Sequence, residues 1–467
     1  MLFNKNEILQ ALSSQIIEHS FNSDFIIEEV IIDSRKAAKN TAFIAINGEN
    51  NDGNLFAANA LKSGCSLVLI DNLEIFQQLK TEATNNLILV KNSFNALYEI
   101  AKFQRSKTKA KIIALTGSVG KTSIKDMLKS AFEKIGKTHA TTSNLNNHYG
   151  APLTMCNIEK DDEFVILEMG MNHANEIKPL SLLARPDITI ISNIAMAHIG
   201  NFNNEEEIAA AKSEIFCGAN QETIAILNKD DKYYNFLKDA ALSNNIEPEN
   251  IVSFGKDPRS NYAIAEIHTK NYQLSDVTIQ YDSRQFKYEI ASSNPSVIFN
   301  SSIVVACLDT LVSDFSKALE SFQSFKATAG RGNIIKTEKF TIIDDSYNSN
   351  LFSSKAGVKY LKDLKTDLKA PRSVAFIGDM LELGKFSDQS HKELLQFCQK
   401  QNIDVIVAIG AEMQKAVKNL CIDIPVYLNC KEISNEIENI VKPQDLIFVK
   451  GSRGIKMEEI IQILKNL

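Results

Sequence analysis

Apolar residues along this chain gather in short unbroken runs, and each run is followed by a longer segment in which they recur every third or fourth position. The first pattern is that of strands buried on both faces; the second is the inner face of a helix. Residues 1–106 carry four such runs, Phe25 to Ile32, Thr41 to Ile46, Ser66 to Ile70 and Asn86 to Val90. Residues 107–326 carry Ile112 to Leu115, Phe164 to Leu167, Ile188 to Ile191 and Thr223 to Leu227, then a stretch of strict alternation from Asn261 to Phe286 that predicts a β-hairpin insertion. Residues 327–467 repeat the first pattern at Phe340 to Ile343, Ser373 to Ile377, Val405 to Ile409 and Leu446 to Val449. The expectation is an α/β protein of three α/β domains with parallel sheets, bounded at 1–106, 107–326 and 327–467. The basic stretch Lys102 to Lys111 reads as a solvated connection between the first two.

Composition narrows this only a little. With 23% charged and 44% hydrophobic residues, the 467-residue chain has the make-up of a soluble globular protein. A net charge of -6 argues against a nucleic-acid surface. No apolar run reaches the roughly 18 residues that membrane insertion needs, and Met1-Leu-Phe-Asn-Lys-Asn-Glu7 carries no hydrophobic signal core. A cytoplasmic location and a monomer are the expectations. The seven cysteines stand singly, with no Cys-x-x-Cys pair, and read as reduced packing residues.

Chemistry enters where the runs end. Lys111-Ile-Ile-Ala-Leu-Thr-Gly-Ser-Val-Gly-Lys-Thr-Ser-Ile-Lys125 reads as strand, phosphate loop and helix. Gly117 and Gly120 let backbone N–H groups close around an anion, Lys121 adds a point charge, and Thr122 offers a hydroxyl to Mg²⁺. A nucleoside triphosphate is the expected ligand, although Leu115 stands where the usual motif has another glycine. Beyond the neighbouring runs lie Glu168, Asn193 to His198, and Asn228-Lys-Asp-Asp231, all where ligands collect in an open parallel sheet. Glu168 suits a Mg²⁺ ligand beside Thr122 or a helix cap. Lys212, in a small apolar helical stretch, reads plainly as a surface lysine. Thr141-Thr-Ser-Asn-Leu-Asn-Asn147 either holds a ligand or caps a helix, and Arg331 is either a hinge arginine or a phosphate contact. Asp33-Ser-Arg35 and Gly48 to Gly53 follow strands, as turns or binding loops do.

Together these stretches resemble the Mur ligase family, ATP-dependent enzymes that join an amino acid or peptide to a nucleotide-linked carboxylate. The resemblance rests on Thr116-Gly-Ser-Val-Gly-Lys-Thr122, Asn193, His198 and Ala211-Lys-Ser-Glu-Ile-Phe216. Four further stretches, Asn144 to Thr154, Asp344-Asp-Ser-Tyr-Asn-Ser-Asn350, Gly378-Asp-Met-Leu-Glu-Leu-Gly384 and Lys450 to Glu458, resemble the member that adds D-alanyl-D-alanine to UDP-N-acetylmuramoyl-tripeptide. Two places depart from the family pattern. Leu351 stands where proline is usual, and Asn294-Pro-Ser-Val-Ile-Phe-Asn300 keeps only the last asparagine of its motif.

The resemblance implies a UDP-substrate domain, a central phosphate-loop ATPase-like domain and a Rossmann-like third domain that closes on ATP and the acceptor. It implies Lys121, Glu168, His198 and Lys212 as catalytic residues. ATP would be held by Thr116, Gly117, Ser118, Val119, Gly120, Lys121, Thr122 and Ser123, with Asn228 at the adenine, Arg331 at the phosphates, Asp345 at the ribose and Asn348 also on the nucleotide. Two Mg²⁺ are implied, on Thr122, Glu168, His198 and a carbamylated Lys212. Ser34, Arg35, Asn51, Asp52, Asn144, Asn146 and Asn147 would bind the nucleotide tripeptide; the resemblance assigns no residue to D-alanyl-D-alanine, and Lys450 and Arg453 are candidates only because positive charge suits its carboxylate. The carbamate faces a hurdle: a free lysine is uncharged in only about one molecule in a thousand at pH 7. A nucleotide-binding switch that merely retains the phosphate loop is the rival from another class.

Overall fold

A computed structural model describes residues 1–21, 23–48, 51–81, 86–197 and 199–467. Among the described residues the strands form three large sheets and one two-stranded ribbon. The first sheet runs Ile16–Ser20, Leu87–Val90, Leu67–Ile70, Thr41–Ile44 and Glu29–Ile31 in spatial order, parallel except for Ile16–Ser20. Its central strands are buried along their whole length, because helices cover both faces and every position then demands an apolar side chain. The expected strand from Phe25 to Ile32 is split. Ile26–Ile27 pairs with Phe3–Asn4 in the ribbon, and only Glu29–Ile31 joins the sheet.

The basic stretch from Lys102 begins as helix and ends as strand, and Lys102, Lys107, Lys109 and Lys111 are exposed. Helix Ser93–Lys107 covers its first part, with Arg105 and Lys107 in the last turn, where the helix dipole favours cations. Arg105 Nε donates to the Ala184 carbonyl and so fastens the helix to the second unit, while Lys107 Nζ donates to the Leu2 carbonyl and Glu7 and ties the helix end back onto the first residues of the chain.

The second sheet holds nine strands, in the order Arg284–Ile290, Leu274–Tyr281, Tyr262–Asn271, Ile251–Gly255, Ile224–Asn228, Ile188–Ile191, Lys111–Thr116, Phe164–Glu168 and Thr138–Ala140. The alternating segment therefore makes a three-stranded antiparallel meander, one strand more than the single hairpin expected. Its first strand continues the parallel sheet through Phe254 and Gly255. Chain order reverses between Lys111–Thr116 and Ile188–Ile191, which opens a crevice at their carboxyl ends.

The third sheet runs Asn333–Lys336, Thr341–Asp345, Leu446–Lys450, Ser373–Gly378, Val405–Ile409 and Val426–Tyr427, all parallel except the first. Leu351 occupies the first helical position after the Asn350 cap of Leu351–Leu368, a site that suits proline but does not require it. The carboxyl ends of the second and third sheets face each other. Gly200 N–H donates to the Glu382 carbonyl at 2.8 Å, and a Cβ on Gly200 would lie 2.8 Å from that oxygen. Among the described residues no helix is long and apolar enough to cross a membrane. All seven cysteines are free, and five are buried.

Candidate active site

The phosphate loop leaves the buried strand Lys111–Thr116 through Gly117, whose φ of +150° favours glycine. A Cβ there would lie 1.9 Å from Ser192 Oγ, so no side chain fits. Gly120, φ +87°, caps helix Lys121–Phe132 and packs against the Asn300 amide, the one asparagine its stretch retains. Asn193 staples the loop from the adjacent strand end. Its Oδ1 accepts from Val119 N–H, its Nδ2 donates to the Val119 carbonyl, and its carbonyl accepts from Ser118 N–H, each at 2.9 Å. Ser118 Oγ donates to the Ala195 carbonyl and accepts from Ala195 N–H. The loop is thus held open by protein groups before any ligand arrives. Lys121 Nζ bends back to the Gly117 carbonyl at 2.8 Å. Burial lowers its pKa; the Glu168 charge opposes this and Arg331 adds to it. An anion in the loop would relieve that stress.

Glu168 ends strand Phe164–Glu168 and is 1% exposed. One oxygen accepts from Asn146 Nδ2 at 2.7 Å and from Thr122 Oγ1 at 3.3 Å. The other is buried with no hydrogen-bond partner among the described residues. Glu168 does not cap the next helix: Ile177 and Lys178 N–H donate instead to Glu214. An orphaned buried carboxylate oxygen costs about 1–3 kcal/mol, and a cation beside it removes that cost. No group of three His, Cys, Asp or Glu side chains converges among the described residues. A metal here would therefore draw on Thr122, phosphate oxygens and water, as Mg²⁺ commonly does. His198 lies outside the described residues.

Lys212 overturns its plain reading as a surface lysine. It lies on helix Glu205–Ser213 and is 2% exposed, with no ion pair among the described residues. Burial, then the Lys121 charge, puts its pKa well below the ordinary lysine value, so the neutral amine is favoured.

Arg331 meets the site from the third unit. Its Nη2 donates to Thr122 Oγ1 at 3.3 Å, its guanidinium lies 3.9 Å from the Tyr347 ring centre, and its Nε is buried and unpartnered. Asp345 and Lys450, at neighbouring strand ends, pair at 2.5 Å, and Lys450 also donates to the Asn348 carbonyl. Lys450 is thus committed to the site expected for the ribose. Arg453 pairs with Glu458 at 2.9 Å and remains exposed. Asn228 has both amide groups engaged, donating to the Ser192 carbonyl and accepting from Asp230 N–H. Ser123 sits in the first turn of the phosphate-loop helix.

The asparagine loop meets the capping expectation and also reaches the candidate metal ligand. Asn147 caps helix Gly150–Cys156 by accepting from Gly150 N–H, while Asn146 reaches Glu168 and Asn144 remains on the loop surface. Ser34 and Arg35 form a turn capped by Asp33, and Arg35 forks back onto that carboxylate, holding its pKa down at about 2. Asp52 caps the turn Gly53–Phe56, with Asn51 exposed beside it. Sequence reasoning did not single out Ser192, Asn146's bond to Glu168, or Glu214; only the close approach at Gly117 explains why a small residue stands at position 192.

Three family descriptions match in succession: the Mur ligase family catalytic domain over residues 26–105, the Mur ligase middle domain over 115–308, and the Mur ligase glutamate ligase domain over 330–453. A UDP-N-acetylmuramoyl-tripeptide--D-alanyl-D-alanine ligase from Rickettsia prowazekii is 32% identical over 99% of both chains. Its Escherichia coli namesake is 28% identical over 95% of each. The crystal structure of MurF from Acinetobacter baumannii superposes with a TM-score of 0.86 at 26% identity, covering 100% of this chain and 99% of that one. The MurF ligase of Thermotoga maritima, solved in complex with ADP, shares the fold with a TM-score of 0.78 at 22% identity, covering 94% of this chain and 97% of that one. This chain belongs to the Mur ligase family.

Proposed function

We propose that the chain joins D-alanyl-D-alanine to UDP-N-acetylmuramoyl-tripeptide at the expense of ATP, giving the pentapeptide precursor of peptidoglycan. The relatives aligned over almost its whole length carry that name. The observation that carries the chemistry is the unpartnered oxygen of Glu168, set beside Thr122 at the mouth of a preformed phosphate loop. Residues 1–106 are assigned to the uridine nucleotide, 107–326 to ATP and the tripeptide, and 327–467 to closure and the acceptor. One chain supplies both sides of the cleft, which supports a monomer, and seven free cysteines suit the cytoplasm.

A carboxylate is a poor electrophile, so it must first be activated. An oxygen of the tripeptide's terminal carboxylate forms a bond to the γ-phosphorus of ATP, the β–γ bridging bond breaks, and ADP leaves. The amine of D-alanyl-D-alanine then attacks the acyl carbon of the resulting acyl phosphate; inorganic phosphate leaves and the amine loses a proton. Lys121 holds the β- and γ-phosphates, and Arg331 faces them from the opposite domain. Glu168 and Thr122 would hold Mg²⁺, which when bound supplies neutralisation of the triphosphate charge. Asn146 fixes the Glu168 carboxylate, and Lys450 with Asp345 shapes the ribose side. Acyl phosphates hydrolyse, so the third domain's closure excludes water. Lys212, buried and with its pKa lowered by that burial, would take up CO₂ through its unprotonated amine. A new N–C bond would form and the nitrogen would give up a proton, leaving a carbamate anion suited to a second Mg²⁺, for which the family resemblance also implies His198.

The test is acceptor dependence. ADP release is expected only when the nucleotide tripeptide and D-alanyl-D-alanine are both present. Equal ADP release with a single amino acid as acceptor contradicts the assignment.

A further inference from the structure

Two side chains that take no part in the mechanism above lie in the second turn of the phosphate-loop helix. Lys125 is 4% exposed, although nothing on the helix's buried face calls for a charge. Its Nζ lies 3.2 Å from Asp126 Oδ1 and 3.4 Å from the Ser143 carbonyl. Ser143 is left-handed, φ +52°, a costly conformation for a residue other than glycine. The carbonyl Lys125 holds is thus the one at the strained bend of the asparagine loop. On its other side Asp126 accepts from Thr328 Oγ1, in the segment joining the second and third units.

These contacts close a circuit. The Thr328 carbonyl accepts from Arg331 N–H at 3.1 Å, Arg331 reaches Thr122, Thr122 donates to Glu168, and Asn146 donates to the same Glu168 oxygen from the loop that Lys125 braces. The joining segment is also tied to the third unit, since Gly330 N–H donates to Asp344 Oδ2 and the Gly330 carbonyl accepts from Tyr347 N–H, both at 3.1 Å. Thr328 is thus the point at which a displacement of the third unit would bear on Asp126, Lys125 and the Ser143 bend.

We infer that Lys125 and Asp126 are positioning residues that couple closure of the third domain, through Thr328, to the placement of the Ser143–Asn146 loop against Glu168. Neither touches the reacting atoms. Their effect falls on how the tripeptide carboxylate is presented once the domains meet, and in that respect the inference rests on the ligase reading. A buried lysine serves this purpose better than an apolar side chain because it holds the Ser143 carbonyl by a hydrogen bond and Asp126 by an ion pair at once.

The test uses the full chain and the variants Asp126→Ala, Thr328→Val, Thr328→Ser and the double variant Asp126→Ala with Thr328→Val. Asp126→Ala and Thr328→Val are each expected to lower kcat for ADP release about 10-fold, with KM for ATP changed by less than about 2-fold. The double variant is expected to be no slower than Asp126→Ala alone, because both break one connection. Thr328→Ser, which keeps the hydroxyl, is expected to behave as the parent. Independently of turnover, amide hydrogen exchange in Asp126→Ala is expected to rise in residues 142–147 and 326–332 together. Multiplying losses in the double variant, or faster exchange confined to one segment or absent from both, overturns the coupling. Should the parent release no ADP with these substrates, the ligase reading falls while the exchange result still decides the coupling.

Discussion

Replacing Lys212 by methionine is expected to lower the rate of ADP release about 1000-fold, the equivalent of about 4 kcal/mol of transition-state stabilisation. Methionine keeps the unbranched stem and most of the volume, so the helix Glu205–Ser213 and its packing survive. What is lost is the nitrogen proposed to take up CO₂ and, with it, the anion that would serve a second Mg²⁺. The same variant separates this role from a structural one by its effect on stability. Burial and the Lys121 charge depress the Lys212 pKa in the folded protein. Between that depressed value and the unfolded chain's value of about 10.4, the unfolded state binds a proton that the folded state has shed. Stability of the metal-free protein therefore rises with pH across that window and falls again as the pH drops. Lys212→Met removes this rise and is expected to be no less stable than the parent at pH 7. Denaturant titrations at several pH values check the second point and steady-state ADP release the first; a variant that turns over at the parent's rate removes Lys212 from the mechanism.

Glu168→Gln is expected to cost about 100- to 1000-fold in kcat and to raise the Mg²⁺ concentration needed for half-maximal rate. The amide oxygen can still accept from Asn146 and Thr122, so the local hydrogen bonds persist. The orphaned oxygen, however, becomes an NH₂ group aimed at the place where a cation belongs, and the charge is gone. A rate loss that excess Mg²⁺ fully restores points to weakened binding alone. A loss that persists at saturation places Glu168 in the transition state as well. An unchanged rate and Mg²⁺ dependence contradicts its role.

Much of this arrangement was legible from the sequence because strands buried on both faces leave continuous apolar runs, and the residues just beyond those runs are free to be polar. That is why Lys121, Thr122 and Glu168 stood out. Lys212 was recognised through family resemblance only, since a lysine among alanines carries no sign of whether its helix face is covered. The contacts made by Asn146 and Ser192 were illegible for a related reason: they depend on how closely neighbouring strand ends approach, which no local pattern records. In Lys102 to Lys111 the lysines are exposed, as charge density suggests, but no local pattern marks Arg105 as the one that reaches across to the Ala184 carbonyl. The meander was undercounted because Tyr262–Asn271 joins a parallel neighbour at one end and an antiparallel one along its length. In the third unit, Lys450 and Arg453 look equally available in sequence, yet one is committed to Asp345 and the other to Glu458.

The mouths of adjacent strands are proposed to gather magnesium and triphosphate around Glu168 so that an inert acid becomes a mixed carboxylic–phosphoric anhydride. Manganese anomalous scattering from crystals grown with Mn²⁺, bicarbonate and a non-hydrolysable ATP analogue tests this most directly. The account predicts one peak in contact with Thr122 and Glu168, and a second between Glu168 and added density on the Lys212 nitrogen. Peaks remote from Glu168, or a single peak beside an unmodified Lys212, would contradict it.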